Sequence, residues 1–221
     1  MKYIVILGDG WADYPDENGE TPLSLAKKPN IDAIAKMSVC GLTKTVPDGM
    51  KPGSDVANMA VMGYDPAVYY TGRSPLEAAS MGIELGADDV TYRCNLRQVR
   101  GRKHRKKGAD LTPPHDISGK VISPYLPKGA YADELLAFQK NSMKVLAGSE
   151  INAERRAKNV NTADSCWLWG EGTRPSFKPF KELYGLKGAV ISAVDLVKGL
   201  GIVAGMDSID VEGACGTINT N

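Results

Sequence analysis

Asp9 and Ser54 are the side chains whose surroundings point to chemistry. Asp9 follows the apolar run Ile4-Val5-Ile6-Leu7-Gly8, which predicts a buried strand over 2–7 with a carboxylate at its C-terminal end. Ser54 stands in Lys51-Pro52-Gly53-Ser54-Asp55-Val56-Ala57-Asn58-Met59, a tight turn opening a short helix. The free N–H groups of a helix N-terminus suit phosphate. A serine hydroxyl is a weak nucleophile until a base or a metal activates it, and Asp9 is a candidate to hold that metal. The parts fit metal-assisted phosphoryl chemistry. Taken alone, they fit a helix cap and a turn aspartate better, since serine is an ordinary N-cap.

The elements that must position them follow from local signals. Over 54–62, Gly53 permits the turn, Ser54 is a favoured N-cap type, and Asp55 suits the positive end of the helix. Val56, Met59 and Met62 recur at helical spacing, and Gly63 is the expected stop. Asn30 is the expected cap of a helix through Met37, with Ile31 and Ile34 turned inward and Gly41 ending it. Ser74-Pro75-Leu76-Glu77 has the pattern of a capping box with proline at the first helical position, and Gly82 ends that helix. Val90–Leu96 reads as a strand, and 133–147 as an amphipathic helix carrying Leu135, Leu136, Phe138, Met143 and Leu146. Ala189-Val190-Ile191 reads as a strand, Asp195–Leu200 as a helix, and Gly201-Ile202 as the start of another element. Short strands alternating with helices predict an α/β layered fold.

Composition narrows the partners. The chain has 221 residues and a formal net charge of +1, with no global pull toward nucleic acid or membrane. No apolar stretch reaches the roughly 18 residues that span a bilayer. Met1 runs into the first strand without the layout of a signal peptide. Cys40, Cys94, Cys166 and Cys215 form no C-x-x-C pair, which argues against a zinc knuckle and for reduced thiols in a cytoplasmic protein. Residues 97–108 are dominated by Lys and Arg. They read first as a solvated loop and second as a polyanion patch, since no aromatic residue is present to stack on bases.

Several strings, in order from end to end, carry a resemblance. They are Ile6–Gly10, Lys51–Asn58, Tyr70–Ala78, Thr112–Ile117, Trp167–Gly172, Lys187–Leu196 and Asp210–Ala214. On these the chain resembles the archaeal-type, cofactor-independent phosphoglycerate mutases of the alkaline phosphatase superfamily. The resemblance implies an α/β fold with a mostly parallel sheet flanked by helices, together with a remnant of an inserted second domain. Residues 1–88 and 165–221 would form the partial core, and 89–164 the shortened insert. It implies interconversion of 3-phosphoglycerate and 2-phosphoglycerate through a phosphoserine at the catalytic residue Ser54, without 2,3-bisphosphoglycerate. Two divalent metal ions, Mn2+ or Mg2+, are implied, with Asp9 and Ser54 matching ligands of one site.

The expected substrate-binding residues are Asp55, Asn58, Arg73, His115 and Lys198. Arg73 and His115 stand in matched strings, and Lys198 shares a helical face with Asp195. His115 reads equally as a side chain satisfied by a turn. Trp167 and Trp169 read as interdomain packing. The family's long segment between Leu96 and Thr112, and its later Asp and His metal ligands, have no counterpart here. Internal deletion and C-terminal truncation are therefore expected, with weak metal binding and low turnover. Oligomeric association is left open. Two further readings remain: a phosphotransferase on a small alcohol such as homoserine, disfavoured by the absence of a P-loop, and a non-catalytic remnant that binds anions or nucleic acid through its basic run.

Overall fold

The computed structural model describes residues 1–8, 10–95 and 108–220. Asp9 and all of the basic run except Gly108 lie outside the described residues. The chain divides into two compact units, Met1–Lys44 and Thr45–Asn221.

The first unit carries α1 (Pro22–Leu25) and α2 (Pro29–Lys36). A reciprocal pair of hydrogen bonds between Thr21 and Ser24 caps α1. The cap of α2 is Lys28 rather than Asn30, because Pro29 takes the first helical position, where its missing N–H costs nothing. Met37 rather than Gly41 ends the helix, and Ile31 and Ile34 are exposed rather than inward. The strand expected over 2–7 is not formed. Tyr3, Ile4, Val5, Ile6 and Leu7 are exposed, and among the described residues no strand pairs with them. An apolar run becomes a strand only when a neighbour takes its backbone hydrogen bonds.

The second unit carries α3 (Ser54–Val61), α4 (Pro66–Tyr69) and α5 (Ser74–Ser80), then strands β1 (Val90–Cys94), β2 (Ala109–Asp110) and β3 (Lys128–Gly129). After these come α6 (Ala132–Ala147), α7 (Glu150–Ala157), β4 (Leu168–Thr173), α8 (Phe180–Tyr184), β5 (Ala189–Ile191), α9 (Asp195–Val203) and β6 (Asp207–Ile209). Strands β1 and β4 pair antiparallel, with Val90 opposite Thr173 and a register shift between Thr91 and Arg93. Strands β2 and β3 pair antiparallel, and β5 and β6 pair parallel. The class is α/β; among the described residues, parallel pairing is confined to β5 and β6. The four cysteines are free thiols. Among the described residues no helix is long and apolar enough to cross a membrane.

The core gathers Met59 of α3, Tyr64, Leu76 of α5, and Leu196, Leu200 and Ala204 from α9 and its end. Tyr64 packs against Tyr69 and Phe177, with ring centroids 5.2 and 4.7 Å away, and its hydroxyl donates to the Lys178 carbonyl at 2.9 Å. Helix α9 continues through Gly201 and Ile202 instead of breaking there. The two glycines inside it serve close packing. A Cβ at Gly199 would lie 2.6 Å from the carbonyl carbon of Leu76 and closer still to its oxygen, and one at Gly201 would lie 2.6 Å from Val190 Cγ2. These glycines let α9 seat directly on the backbone of α5 and on β5. Core packing has thus overridden the weak helix propensity of glycine.

Candidate anion site around Ser54, Arg73 and Trp169

Helix α3 begins one residue earlier than a serine cap requires. Gly53, in extended backbone, is the N-cap, and Ser54 takes the first helical position with its side chain exposed. The reason lies in Asp55. Its buried carboxylate folds back, so that Oδ1 accepts the Val56 N–H at 3.0 Å and Oδ2 accepts the Tyr70 hydroxyl. A side chain at position 53 would meet Oδ1 and push the Asp55 carboxylate out of this arrangement. Asn58 is buried one turn on, and its Nδ2 donates to the Ser54 carbonyl at 2.7 Å. The result is a serine hydroxyl presented at a helix N-terminus, on a turn braced by Asp55, Asn58 and Tyr70. Burial and the charge of Asp55 push the Tyr70 phenol well above the usual tyrosine range.

Helix α5 also starts differently from the expected capping box. Arg73 is the N-cap residue, already in helical conformation, and Ser74 is inside the helix. Ser74 Oγ bonds Thr91 Oγ1 of β1 at 2.7 Å instead of capping. Glu77 is drawn from the capping role to two guanidinium groups. Its Oε1 accepts Arg73 Nε at 3.1 Å, and its Oε2 lies 2.6 Å from Arg93 Nε. Burial lowers the pKa of Arg93, against the opposing charge of Glu77; Arg73, Asp55 and Asp195 also lie within electrostatic reach.

Beneath the two arginines lies the buried indole of Trp169 on β4. The guanidinium carbons stand 5.4 Å (Arg73) and 4.6 Å (Arg93) from its ring centroid. Trp169 Nε1 donates to Asn95 Oδ1 at 2.8 Å, which fixes the ring, and His115 meets it edge-on at 5.1 Å. The approach of α5 to β4 that makes this possible needs small residues. A Cβ at Gly172 would stand 2.6 Å from Pro75 Cδ and 2.8 Å from Gly72 Cα.

The structure thus brings together much of what the sequence suggested. Asp55, Asn58 and the exposed Ser54 share one turn, and Asp55 reaches the Arg73 neighbourhood through Tyr70. Arg73 and His115 meet at Trp169. His115 also lies 3.6 Å from Asp116, an exposed pair. Lys198 pairs with Asp210, while Asp195 accepts the Ser80 hydroxyl at 3.0 Å. Trp167 donates to the Thr112 carbonyl at 2.8 Å. Sequence reasoning passed over Tyr70, Glu77, Arg93 and Trp169 as site members. Tyr70 and Glu77 stand inside the Tyr70–Ala78 string, and Arg73–Glu77 has the four-residue spacing of a helical ion pair. Nothing local marks Arg93, an ordinary strand position.

The fold and site define an α/β protein with a serine hydroxyl at a helix start and a two-arginine cradle on an aromatic platform. The fold is shared with the solved PH0037 protein from Pyrococcus horikoshii, 31% identical, with a TM-score of 0.68 over 96% of this chain and 62% of that one. The family model for 2,3-bisphosphoglycerate-independent phosphoglycerate mutase matches residues 35–109. The phosphoglycerate mutase of that name from Methanothrix thermoacetophila is 46% identical across 100% of this chain and 68% of its own. A second, from Methanothermobacter thermautotrophicus, is 44% identical across 100% of this chain and 67% of its own. This chain belongs to the 2,3-bisphosphoglycerate-independent phosphoglycerate mutase family. It spans about two thirds of these relatives' length, and the Methanothrix match runs over 265 positions against 221 residues here, a surplus of 44.

Proposed function

We propose that this chain interconverts 3-phosphoglycerate and 2-phosphoglycerate through a phosphoserine at Ser54. The observation that carries the reading is the exposed Ser54 at the first position of α3, on a turn braced by Asp55 and Tyr70, in a chain of this family. In the first half-reaction Ser54 Oγ forms a bond to phosphorus as the bond from phosphorus to O3 breaks, and the hydroxyl proton ends on O3 of glycerate. Glycerate then turns. Its O2 attacks the phosphoserine, the Oγ–P bond breaks, and the proton from O2 returns to Oγ. Arg73 holds the anionic substrate, because a guanidinium matches carboxylate and phosphate oxygens two at a time. Asn58, His115 and Lys198 remain the other substrate-binding candidates.

The divalent ions implied by the resemblance meet a poor fit among the described residues. No three His, Cys, Asp or Glu side chains converge there as a ligand group, and Ser54 offers a single oxygen. A divalent cation needs several oxygen ligands, so no step is derived through a metal. Residues 89–164 are read as the shortened inserted domain. Cytoplasmic location belongs to the same reading.

The test supplies 3-phosphoglycerate, with and without Mn2+, to the chain and to Ser54→Ala. Product is followed by a coupled assay and the serine by mass spectrometry. The expected result is 2-phosphoglycerate and an 80-dalton adduct at Ser54 (the mass of one phosphoryl group, roughly), both absent in Ser54→Ala. Full turnover in Ser54→Ala overturns the mechanism.

A further inference from the structure

We propose that Arg93 is a second anion-binding residue, forming with Arg73 a two-guanidinium clamp for a carboxylate or phosphate group of a small acid, and that Glu77 and Trp169 are its positioning residues. The assignment to substrate rests on the mutase reading above; the clamp itself rests on geometry. Two guanidinium groups share one directly bonded carboxylate, that of Glu77, while Asp55 and Asp195 act on Arg93 from farther off. Both bonds to Glu77 run through Nε, and a guanidinium has five N–H donors in a planar fork. The donor capacity therefore exceeds what one carboxylate absorbs.

The side chains are 17% (Arg73), 30% (Arg93) and 12% (Glu77) exposed, so an arriving anion meets charges only partly screened by water. Trp169 fixes the plane of the cradle from below, with Asn95 holding the indole. A plain ion pair joining α5 to β1 would need one arginine; the second, over the same indole, adds a further fork of donors at the same place. Asp55 lies within electrostatic reach of Arg93, which puts the clamp near the turn bearing Ser54.

The experiment titrates the whole chain and Arg93→Lys with inorganic phosphate, with D-glycerate and with 3-phosphoglycerate, by calorimetry. Circular dichroism checks that the variant is folded. Removing one charge-assisted hydrogen bond from a two-point site weakens binding roughly 10- to 100-fold. That weakening is expected for 3-phosphoglycerate, and for whichever simple anion the clamp prefers, with a melting curve close to the parent's. On the parent chain, phenylglyoxal labelling mapped by mass spectrometry gives a readout independent of variant folding. The preferred anion is expected to shield Arg73 and Arg93 and to leave Arg155 and Arg156 unshielded. The inference is overturned if Arg93→Lys binds every probe as the parent does, if the parent binds none, or if no probe shields Arg93. If binding depends on Arg93 and no 2-phosphoglycerate is ever formed, the clamp stands and the mutase reading falls.

Discussion

Replacing Gly199 with alanine tests the packing on which the site stands. Gly199 lies where α9 crosses α5, and its Cβ would sit 2.6 Å from the carbonyl carbon of Leu76. The carbonyl oxygen of Leu76 is nearer still, and ordinary van der Waals separation begins near 3.4 Å, so the helices must part by well over about 0.8 Å at that point. The obstacle is backbone, which no rotamer change can move aside. Parting the helices loosens Leu76, Leu196 and Leu200, the most tightly buried leucines of the core. Overpacking of this kind costs about 1–3 kcal/mol. A backbone obstacle places this case near 3, offset by about 1 kcal/mol for alanine over glycine inside a helix. A net loss of about 2 kcal/mol is expected, a large share of a domain's marginal stability.

The assay is urea unfolding followed by far-ultraviolet circular dichroism. Gly201→Ala meets only the Val190 side chain and is expected to lose less. Gly185→Ala has φ +67 with nothing within 4 Å, and loses only the roughly 1–2 kcal/mol of a left-handed alanine. Gly199→Ala also strains the Ser80–Asp195 hydrogen bond between α5 and α9. If Gly199→Ala unfolds at the same urea concentration as the parent, or at a higher one, the close crossing is wrong, and so is the account of how α5 is held.

Tyr70→Phe deletes the hydroxyl that the buried Asp55 accepts, and is expected to destabilise the chain by about 1–3 kcal/mol, read as a lower urea midpoint; an unchanged midpoint would detach Tyr70 from the bracing of the Ser54 turn. The phenols give a pH prediction. Burial pushes Tyr64 up to about 12, and burial with the charge of Glu171 does the same for Tyr92. A folded value above the unfolded one means the fold favours the protonated phenol. That contribution is complete below the ordinary value near 10 and is lost as pH rises through about 12. Absorbance at about 295 nm, the tyrosinate band, is expected to show a delayed class of phenols in native protein, and one transition near pH 10 in urea, where all nine tyrosines titrate freely. A single native transition near 10 would contradict the burial of these rings.

The sequence by itself determined the local elements and the family. The helices at 54–62 and 133–147 were legible because each carries a helical period and a glycine just past its end, and the strands read at 90–96 and 189–191 because each is a short run of residues that favour extended backbone. Ser54, Asp55 and Asn58 were legible because one turn of chain holds them. The first strand was misread because hydrophobicity records only that a strand would be stable if paired, and pairing is a property of the neighbour. The caps were misread because a cap is a competition. Ser54 and Ser74 are both good caps, but Asp55 takes up the first turn of α3 and is held there by Tyr70, and Ser74 bonds Thr91; the bonds to Tyr70 and Thr91 are tertiary. Arg93 was illegible for the same reason. It is separated from Arg73 by 20 residues and from Trp169 by 76, and only the seating of α5 against β1 and β4 makes two guanidiniums share one carboxylate and one indole. Coulombic and packing energies fall off over a few ångströms in space, whatever the separation along the chain. The residue types were therefore written in the sequence, and their assembly into a cradle was decided by the fold.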